Sequence, residues 1–373
     1  MAEVTSTTTS PQTALVVGAT GIAGRALCEK LRHRGWSVLG LSRRTPVDLP
    51  GVTPVLADLT DADGLAAALA PHAPTHVFIT AWARQDTEAE NIRVNGGLVR
   101  DVLAAVRPSG SVQHVGLVTG LKHYLGPFEA YGAGDVPDTP FHEDEPRLPY
   151  PNFYYAQEDE LWVAADRDGF TWSVHRAHTV IGYAVGNAMN MGQTLAVQAA
   201  LCRETGRPFV FPGSATQWNA LTDMTDAGVL AEQMLWAATT PAAHNQAFNI
   251  ANGDVFRWRW MWPRLAAALG VEPIGFDEAP RPLEQQMADA GPVWTALAER
   301  AGLRENDVNR VASWWHTDGD LGRDIECLTD MTRSRLAGFT GYRSTLTSFL
   351  DLFERLDRER TVPLPATSGS RQA

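Results

Sequence analysis

Short apolar segments and amphipathic segments alternate through the first half of the chain. Apolar runs bounded by glycine or polar residues predict buried strands over 14–17, 37–41, 52–56, 76–80, 113–118 and 170–175. Apolar residues at helical spacing predict helices over 22–33, 62–69, 88–106 and 152–166. This alternation predicts an α/β fold built on a doubly wound parallel sheet.

The second half of the chain is less regular. Its pattern predicts helices over 191–202, 224–238, 258–269 and 344–358, strands over 208–211 and 247–250, and a mainly helical stretch over 281–340. We expect residues 13–180 to form the core, and residues 181–360 to complete it and to form a smaller substrate-binding cap. The pattern over 125–151 predicts a loop over the site. The two ends of the chain, 1–12 and 361–373, are polar, and we expect them to be disordered.

A glycine turn joins the first predicted strand to the first predicted helix. Gly18, Gly21 and Gly24 follow the apolar run 14–17. Glycine lets a backbone approach a pyrophosphate closely, and the helix N-terminus supplies free N–H groups and a positive dipole end. A structural turn without a ligand is the alternative, but the position between strand and helix favours the dinucleotide-binding unit of a Rossmann fold.

The ends of the second and third strands bear on the choice of cofactor. The second strand ends in Ser42, Arg43 and Arg44, with no acidic residue over 37–44. Asp or Glu at this place binds the ribose 2′-hydroxyl of NAD, whereas Arg suits a 2′-phosphate, so NADPH is favoured over NADH. Two solubilising arginines are the alternative. Asp58, after the third strand, would either bind an adenine amino group or cap the next helix.

The composition of the chain limits the classes of binding partner and the cellular locations that we expect. The net charge of −12 comes from 31 basic and 43 acidic residues, without a long basic run, so we expect neither nucleic acid nor an anionic membrane as partner. Cys28, Cys202 and Cys327 lack metal-binding spacing and indicate a reducing compartment without disulfides or a metal site. No signal-peptide core or membrane-spanning run is present, so the expected location is cytoplasmic.

Seven stretches form a more specific pattern: GATGIAG (18–24), SRR (42–44), ADL (57–59), TGLKHYLGP (119–127), NFYYAQED (152–159), WSVHR (172–176) and AFNIANGDVF (247–256). Together they resemble the extended or atypical short-chain dehydrogenases. Within these, the chain is similar to the progesterone 5β-reductase/iridoid synthase-like (PRISE) enone reductases. The motifs and the resemblance together imply an NADPH site at Gly18, Thr20, Gly21, Ile22, Gly24, Ser42, Arg43, Arg44, Asp58, Leu59, Thr80, Ala81, Thr119, Tyr154 and Val180.

The common dehydrogenases place Lys four residues after the catalytic Tyr, on one helix face. Here Glu158 stands four residues after Tyr154, so the cation must come from elsewhere. Lys122, after the fifth strand, is the candidate, and the family's catalytic Lys and Tyr match Lys122 and Tyr154. A neutral Tyr, with a usual pKa of about 10, donates a hydrogen bond to a carbonyl. A nearby ammonium strengthens that bond and stabilises an enolate.

The expected substrate pocket includes Trp82, Phe153 and His178. Trp82 lies at a strand end, where ligands bind, although a core role is the alternative. The family usually has Pro after His-Arg, whereas this chain has Ala177 and His178. His178 is interpreted either as a pocket residue that exchanges a proton or as a residue that hydrogen-bonds a loop.

These features predict an NADPH-dependent reductase of the C=C bond of α,β-unsaturated carbonyl compounds. Hydride would reach the β-carbon while Tyr154 and Lys122 hold the carbonyl oxygen. A carbonyl reductase or a nucleotide-sugar epimerase is the second hypothesis, and the missing Tyr-x-x-x-Lys argues against the epimerase. An NADP(H)-sensing protein is the third. The expected partner is a small hydrophobic enone, and homodimer formation is left open.

Overall fold

The computed structural model describes residues 12–45, 48–127, 138–184, 186–187 and 189–365. The chain divides into two compact units. Unit 1 comprises the described residues of 1–127, 147–176 and 231–248, and unit 2 those of 128–146, 177–230 and 249–373. The chain thus leaves unit 1 after Pro127 and again after Arg176, and 231–248 adds to unit 1 from the second half.

Helices and strands alternate along the described chain. The strands are β1 (Thr13–Val17), β2 (Ser37–Ser42), β3 (Thr53–Leu56), β4 (His76–Ile79), β5 (His114–Gly120), β6 (Thr171–Ala177), β7 (Val180–Ile181), β8 (Phe209–Val210), β9 (Thr225–Asp226), β10 (Gln246–Ile250) and β11 (Pro273–Ile274). The helices are α1 (Ile22–His33), α2 (Ala62–Leu69), α3 (Glu88–Val106), α4 (Lys122–Leu125), α5 (Phe153–Asp168), α6 (Met191–Thr205), α7 (Ala215–Asn219), α8 (Ala227–Thr239), α9 (Trp258–Leu269), α10 (Leu283–Gln286), α11 (Ala290–Ala301), α12 (Trp314–Leu321), α13 (Thr332–Leu336) and α14 (Thr345–Arg358).

Unit 1 is built on a seven-stranded sheet with the order β10-β6-β5-β4-β1-β2-β3. Strand β1 pairs in parallel with β2 and β4, and the β2–β3 and β4–β5 pairs are also parallel. The strand order reverses between β1 and β4, which is the switch point where doubly wound sheets bind ligands. The sequence-based expectation of a Rossmann-type parallel sheet is therefore confirmed.

The core of unit 1 explains its continuous apolar strands. Side chains of β1, β4 and β5, among them Leu15, Val77 and Leu117, are fully buried with Val99 and Val102 of α3. Strands covered by helices on both faces expose almost none of their side chains, so they read as apolar runs instead of alternating patterns.

Unit 2 has its own core around α6, in which every residue from Met191 to Cys202 is buried. Phe209 stacks on Trp262 with ring centroids 4.0 Å apart, and the Trp262 indole N–H donates to the Phe209 carbonyl at 3.1 Å. Helix α14 buries its apolar face, including Phe349 and Leu352, in the same cluster. None of the helices in the described segments is long and apolar enough to cross a membrane.

The sequence predicts disorder at both ends of the chain, over 1–12 and 361–373. Part of this prediction is wrong, and most of the rest lies outside the described residues. The tail was expected to begin at residue 361, but Thr361 and Val362 are buried, and Arg203 donates to the carbonyl of Pro363. The expectation is therefore wrong for 361–365. Residues 366–373 and 1–11, also expected to be disordered, lie outside the described residues.

Candidate active site

The glycine turn after β1 has the geometry that the motif predicts. Gly18 has a φ of +88°, which L side chains rarely adopt. A Cβ on Gly24 would lie 2.2 Å from the Gly18 carbonyl oxygen and 2.8 Å from the Thr80 hydroxyl, so only glycine fits there. The Thr80 hydroxyl donates to the Val17 carbonyl at 2.8 Å, which ties the end of β4 to this turn.

The N-terminus of α1 matches the needs of a dinucleotide pyrophosphate. Gly21 is the N-cap residue of α1, and no side-chain hydrogen bond from the described residues caps the helix there. The first turn of α1 contains no acidic residue. The first N–H groups of the helix therefore remain available to an anion, and the helix dipole favours one. Thr119, at the end of β5, has a buried hydroxyl with no partner in the described chain, which is a second unused polar group at the carboxyl edge of the sheet.

The residues expected at the adenosine end lie on the β2 and β3 ends. The Ser42 hydroxyl donates to the Arg44 carbonyl at 2.6 Å, while Arg43 and Arg44 are exposed. Asp58 accepts from the backbone N–H and the hydroxyl of Thr60, and these bonds, with a smaller contribution from Arg43, lower its pKa. Asp61, not Asp58, caps α2, so the capping alternative for Asp58 is wrong.

Two neighbouring tyrosines at the start of α5 have different environments. The Tyr155 hydroxyl donates to the His123 carbonyl at 2.6 Å and accepts from the Leu148 N–H at 3.0 Å, so it is occupied in structural bonds. The Tyr154 side chain is half-buried, and its hydroxyl has no hydrogen-bond partner within the described chain. Burial, with a contribution from the Glu88 carboxylate, raises the pKa of Tyr154, so the phenol stays protonated and able to donate.

Lys122 lies in α4, a single turn that the sequence pattern did not predict. The Asn152 side chain donates to the Lys122 carbonyl at 2.7 Å and accepts from the Tyr154 N–H at 3.0 Å. One amide therefore joins the backbones of Lys122 and Tyr154. An Asn before an apolar helix is a recognisable N-cap signal, but its second bond to Lys122 depends on the fold.

The Lys122 ammonium faces aromatic rings. Its Nζ lies 4.9 Å from the Phe153 ring centroid and 6.0 Å from that of Trp82, and these two rings stack with centroids 5.5 Å apart. The Phe153 N–H donates to Glu88 at 2.7 Å, and the loop after Trp82 is held by Asn95, which accepts from the Ala83 N–H. The structure thus brings Trp82, Phe153, Lys122 and Tyr154 together in unit 1.

The remaining expected residues are distributed over both units. Unit 1 places Thr20, Ile22, Leu59 and Ala81, which the sequence predicts to bind the cofactor, at the carboxyl edge of the sheet. His178 and Val180 belong to unit 2. In unit 2, His178 is buried with its Nδ1 2.7 Å from Asp223, and Asp223 also accepts from the N–H and hydroxyl of Thr329.

No group of three or more His, Cys, Asp or Glu side chains in the described residues is arranged to hold a metal ion.

Comparison with known proteins assigns the family. A model of the PRISE-like Rossmann-fold domain matches residues 67–363. The chain belongs to the PRISE-like family. Two relatives of this PRISE-like protein are similar over nearly their whole lengths: an (S)-8-oxocitronellyl enol synthase of Camptotheca acuminata, 40% identical over 94% of this chain and 93% of the relative, and a 3-oxo-Δ(4,5)-steroid 5β-reductase of Arabidopsis thaliana, 37% identical over 94% and 93%.

Solved structures support the fold. The UDP-glucose 4-epimerase of Thermus thermophilus, in complex with NAD, aligns with a TM-score of 0.64 at 19% identity, covering 92% of this chain and 99% of that chain. The epimerase of Thermotoga maritima aligns with a TM-score of 0.62 at 16% identity, covering 93% and 99%. The PRISE-like protein therefore has a Rossmann fold, and its family relatives make it an oxidoreductase.

Proposed function

We propose that this PRISE-like protein is an NADPH-dependent reductase that adds hydride to the β-carbon of α,β-unsaturated carbonyl compounds. The observation that carries the proposal is the Asn152 amide, which bonds the backbones of both Lys122 and Tyr154 and so joins the two segments that carry a cation and a neutral phenol. The names of two relatives, a Δ(4,5)-steroid 5β-reductase and an enol synthase, support the same reaction class.

The chain's own groups would bind and polarise the carbonyl. Tyr154 is protonated at neutral pH because burial raises its pKa, so it donates a hydrogen bond to the carbonyl oxygen. Lys122 is buried with its ammonium facing aromatic rings, where its charge acts more strongly than in water. Both groups stabilise the negative charge that develops on the oxygen when the enolate forms.

The cofactor site would be the glycine turn with the residues that follow the strands. The uncapped start of α1 suits the pyrophosphate, and Arg43 and Arg44 suit the 2′-phosphate of NADPH. When bound, the nicotinamide supplies the hydride. Asp58, Leu59 and Thr119, which lie at or after strand ends in unit 1, are proposed to hold the rest of the cofactor.

Carbonyl reduction is the competing reaction for these residues. It converts the substrate oxygen to an alkoxide that must receive a proton. In conjugate reduction the enolate oxygen needs only stabilisation, and the α-carbon then takes a proton from water to give the saturated carbonyl compound. In the common dehydrogenases the lysine four residues after the Tyr supports that proton transfer, and here Glu158 occupies the position with its side chain fully buried. This difference favours the enone reaction over carbonyl reduction and over epimerisation.

The stacked pair Trp82 and Phe153 favours a small, largely hydrophobic substrate. In unit 2, Asp223 fixes the ring orientation of His178, whose expected role in substrate binding stays a prediction.

The direct test follows NADPH absorbance with a panel of linear and cyclic enones, together with the matching saturated ketones, and identifies products by mass and NMR. The proposal predicts turnover of enones to saturated carbonyl compounds and none of saturated ketones. Reduction of saturated ketones to alcohols at comparable rates would contradict it, as would tight NADPH binding without turnover of any enone or ketone.

A further inference from the structure

Glu158 is a buried carboxylate on α5 that the proposed chemistry does not use. Its side chain is fully buried, and burial raises its pKa, opposed by Arg176 and Arg147. Arg147 donates to Oε2 at 2.9 Å, and Nη2 of Arg176 lies 3.6 Å from Oε1. A buried charge is costly unless it is paired, so this cluster must have well-defined geometry.

The cluster touches α4, the turn that carries Lys122. Arg176 donates from Nη1 to the Tyr124 hydroxyl at 3.3 Å, and its guanidinium carbon lies 5.6 Å from the Tyr124 ring centroid. Oε1 of Glu158 lies 3.9 Å from Nδ1 of the buried His123. His123 and Tyr124 directly follow Lys122 in the chain.

Helix α4 has only four residues, from Lys122 to Leu125. A single turn is unstable by itself, because nucleating a helix costs more than one or two hydrogen bonds return. Its geometry is therefore set by groups from other elements. Asn152 and Tyr155 hold two consecutive carbonyls of α4 from one side, and the charged cluster around Glu158 holds the following side chains.

We propose that Glu158 is a positioning residue for Lys122. Glu158 fixes the position of the Arg176 guanidinium, which in turn fixes the Tyr124 side chain. With Tyr124 held, α4 keeps the geometry that presents the Lys122 ammonium to the Phe153 ring. The position that holds the catalytic cation in the common dehydrogenases holds here an anion that orients a cation from another element. The inference rests on the proposed role of Lys122 but concerns its placement, which is measured without turnover.

The sequence offers an unusually clean probe. Lys30 and Lys122 are the only two lysines of the chain. Protein labelled with ¹³Cε-lysine therefore gives two side-chain signals. Ring currents of Phe153 and Trp82 are expected to shift the Lys122 Hε signal upfield, whereas Lys30, partly exposed and paired with Glu232 at 3.7 Å, serves as the internal reference.

Glu158→Gln removes the charge at nearly constant volume, and Asp159→Asn is the matched control. Asp159 is the neighbouring carboxylate and also accepts from Arg147, at 2.7 Å, but it is exposed. We expect Glu158→Gln to move the Lys122 signal toward that of Lys30 and to lower kcat about tenfold to a hundredfold, with NADPH affinity retained. Asp159→Asn is expected to leave the Lys122 signal, kcat and NADPH affinity unchanged.

Combination with Lys122→Ala separates positioning from general support of the fold. If Glu158 acts through Lys122, Glu158→Gln has no further effect on kcat in the Lys122→Ala background. An unmoved Lys122 signal in Glu158→Gln, or an equal loss of kcat in both backgrounds, would overturn the inference. Failure of the proposed function gives a different result. Lys122→Ala would then leave enone turnover unchanged, while the lysine signals of Glu158→Gln would still report where Lys122 lies.

Tyr124→Phe covers the case in which Glu158→Gln fails to fold. It removes only the hydroxyl that accepts from Arg176 and changes no charge. The inference predicts the same direction of change in the Lys122 signal and in kcat, with smaller size. A Lys122 signal at its unaltered position in Tyr124→Phe would overturn the proposed route through Arg176.

Discussion

The side-chain amide of Asn152 donates to the backbone carbonyl of Lys122 at 2.7 Å, although the two residues stand 30 positions apart. The same side chain caps α5 by accepting from the Tyr154 N–H. Asn152→Ala removes both bonds, so we expect a loss of about 1–2 kcal/mol in the free energy of unfolding and a fall in kcat of about tenfold. Urea unfolding and steady-state turnover measure the two effects.

Thr87→Ala is the control for this prediction. Thr87 caps α3 by accepting from the Glu90 N–H, so its loss costs about the same stability without touching Lys122. Similar loss of kcat in both variants would mean that the Asn152 bond supports only the helix.

Tyr154→Phe and Tyr155→Phe should differ in their effect on stability. Tyr154→Phe removes a hydroxyl without a partner in the described chain, so stability is expected to stay within about 0.5 kcal/mol while kcat falls roughly 10²–10³-fold. Tyr155→Phe leaves the His123 carbonyl and the Leu148 N–H without their partner, so we expect a loss of about 1–3 kcal/mol. Thermal unfolding measures the stability of both variants, and steady-state kinetics measures kcat of the folded fraction. A fully active Tyr154→Phe would remove Tyr154 from the proposed site.

Arg43→Ala and Arg44→Ala test the cofactor preference. Loss of one charge-assisted phosphate contact should weaken NADPH binding by about 1.5–3 kcal/mol, or tenfold or more, and leave NADH binding unchanged. Arg93→Ala, at an exposed arginine on α3, is the control and should change neither affinity. Fluorescence titration with both cofactors provides the measurement. Equal affinity of the unmutated protein for NADPH and NADH would contradict the assignment.

A group of buried histidines should make unit 1 sensitive to acid. Burial lowers the pKa of His76 and of His175 to about 4, and that of His114 well below its usual value. The unfolded chain, with histidine pKa values near 6.5, binds more protons below that pH, so stability falls as pH drops from about 6.5 toward 4. Each histidine contributes a slope of about 1.4 kcal/mol per pH unit in this window.

Urea unfolding at pH 7.5, 6 and 5 measures this slope. We expect His175→Gln to reduce it, whereas His33→Gln, at an exposed position of α1, should leave it unchanged. Equal unfolding free energies at pH 7.5 and 5 in the unmutated protein would contradict the prediction.

Much of unit 1 follows from local signals in the sequence. The bounds of α1, α2 and α3 agree with the predicted helices, because a glycine turn, Asp61 and Thr87 mark their beginnings. Strands β1, β4 and β5 are also local signals, since each is an almost fully buried apolar run, whereas three of the four residues of the edge strand β3 are exposed. Strand β5 continues to Gly120, two residues beyond the predicted end.

Features that depend on distant contacts were not visible in the sequence. Helix α4 is too short to show periodicity, and its geometry depends on Asn152 and Tyr155 of another helix. The pairing of Glu158 with Arg147 and Arg176 joins three elements, so the sequence showed only that Glu158 is not the expected lysine. The end of the chain reads as polar, yet Val362 is buried in the unit 2 core.

Transfer of deuterium from NADPH labelled on the nicotinamide tests the central claim most directly. The unmutated protein is incubated with the labelled cofactor and a cyclic enone, and the product is analysed by NMR and mass spectrometry. The account predicts a saturated carbonyl compound with deuterium on the β-carbon. An allylic alcohol with deuterium on the carbinol carbon would contradict it and would leave carbonyl reduction as the activity.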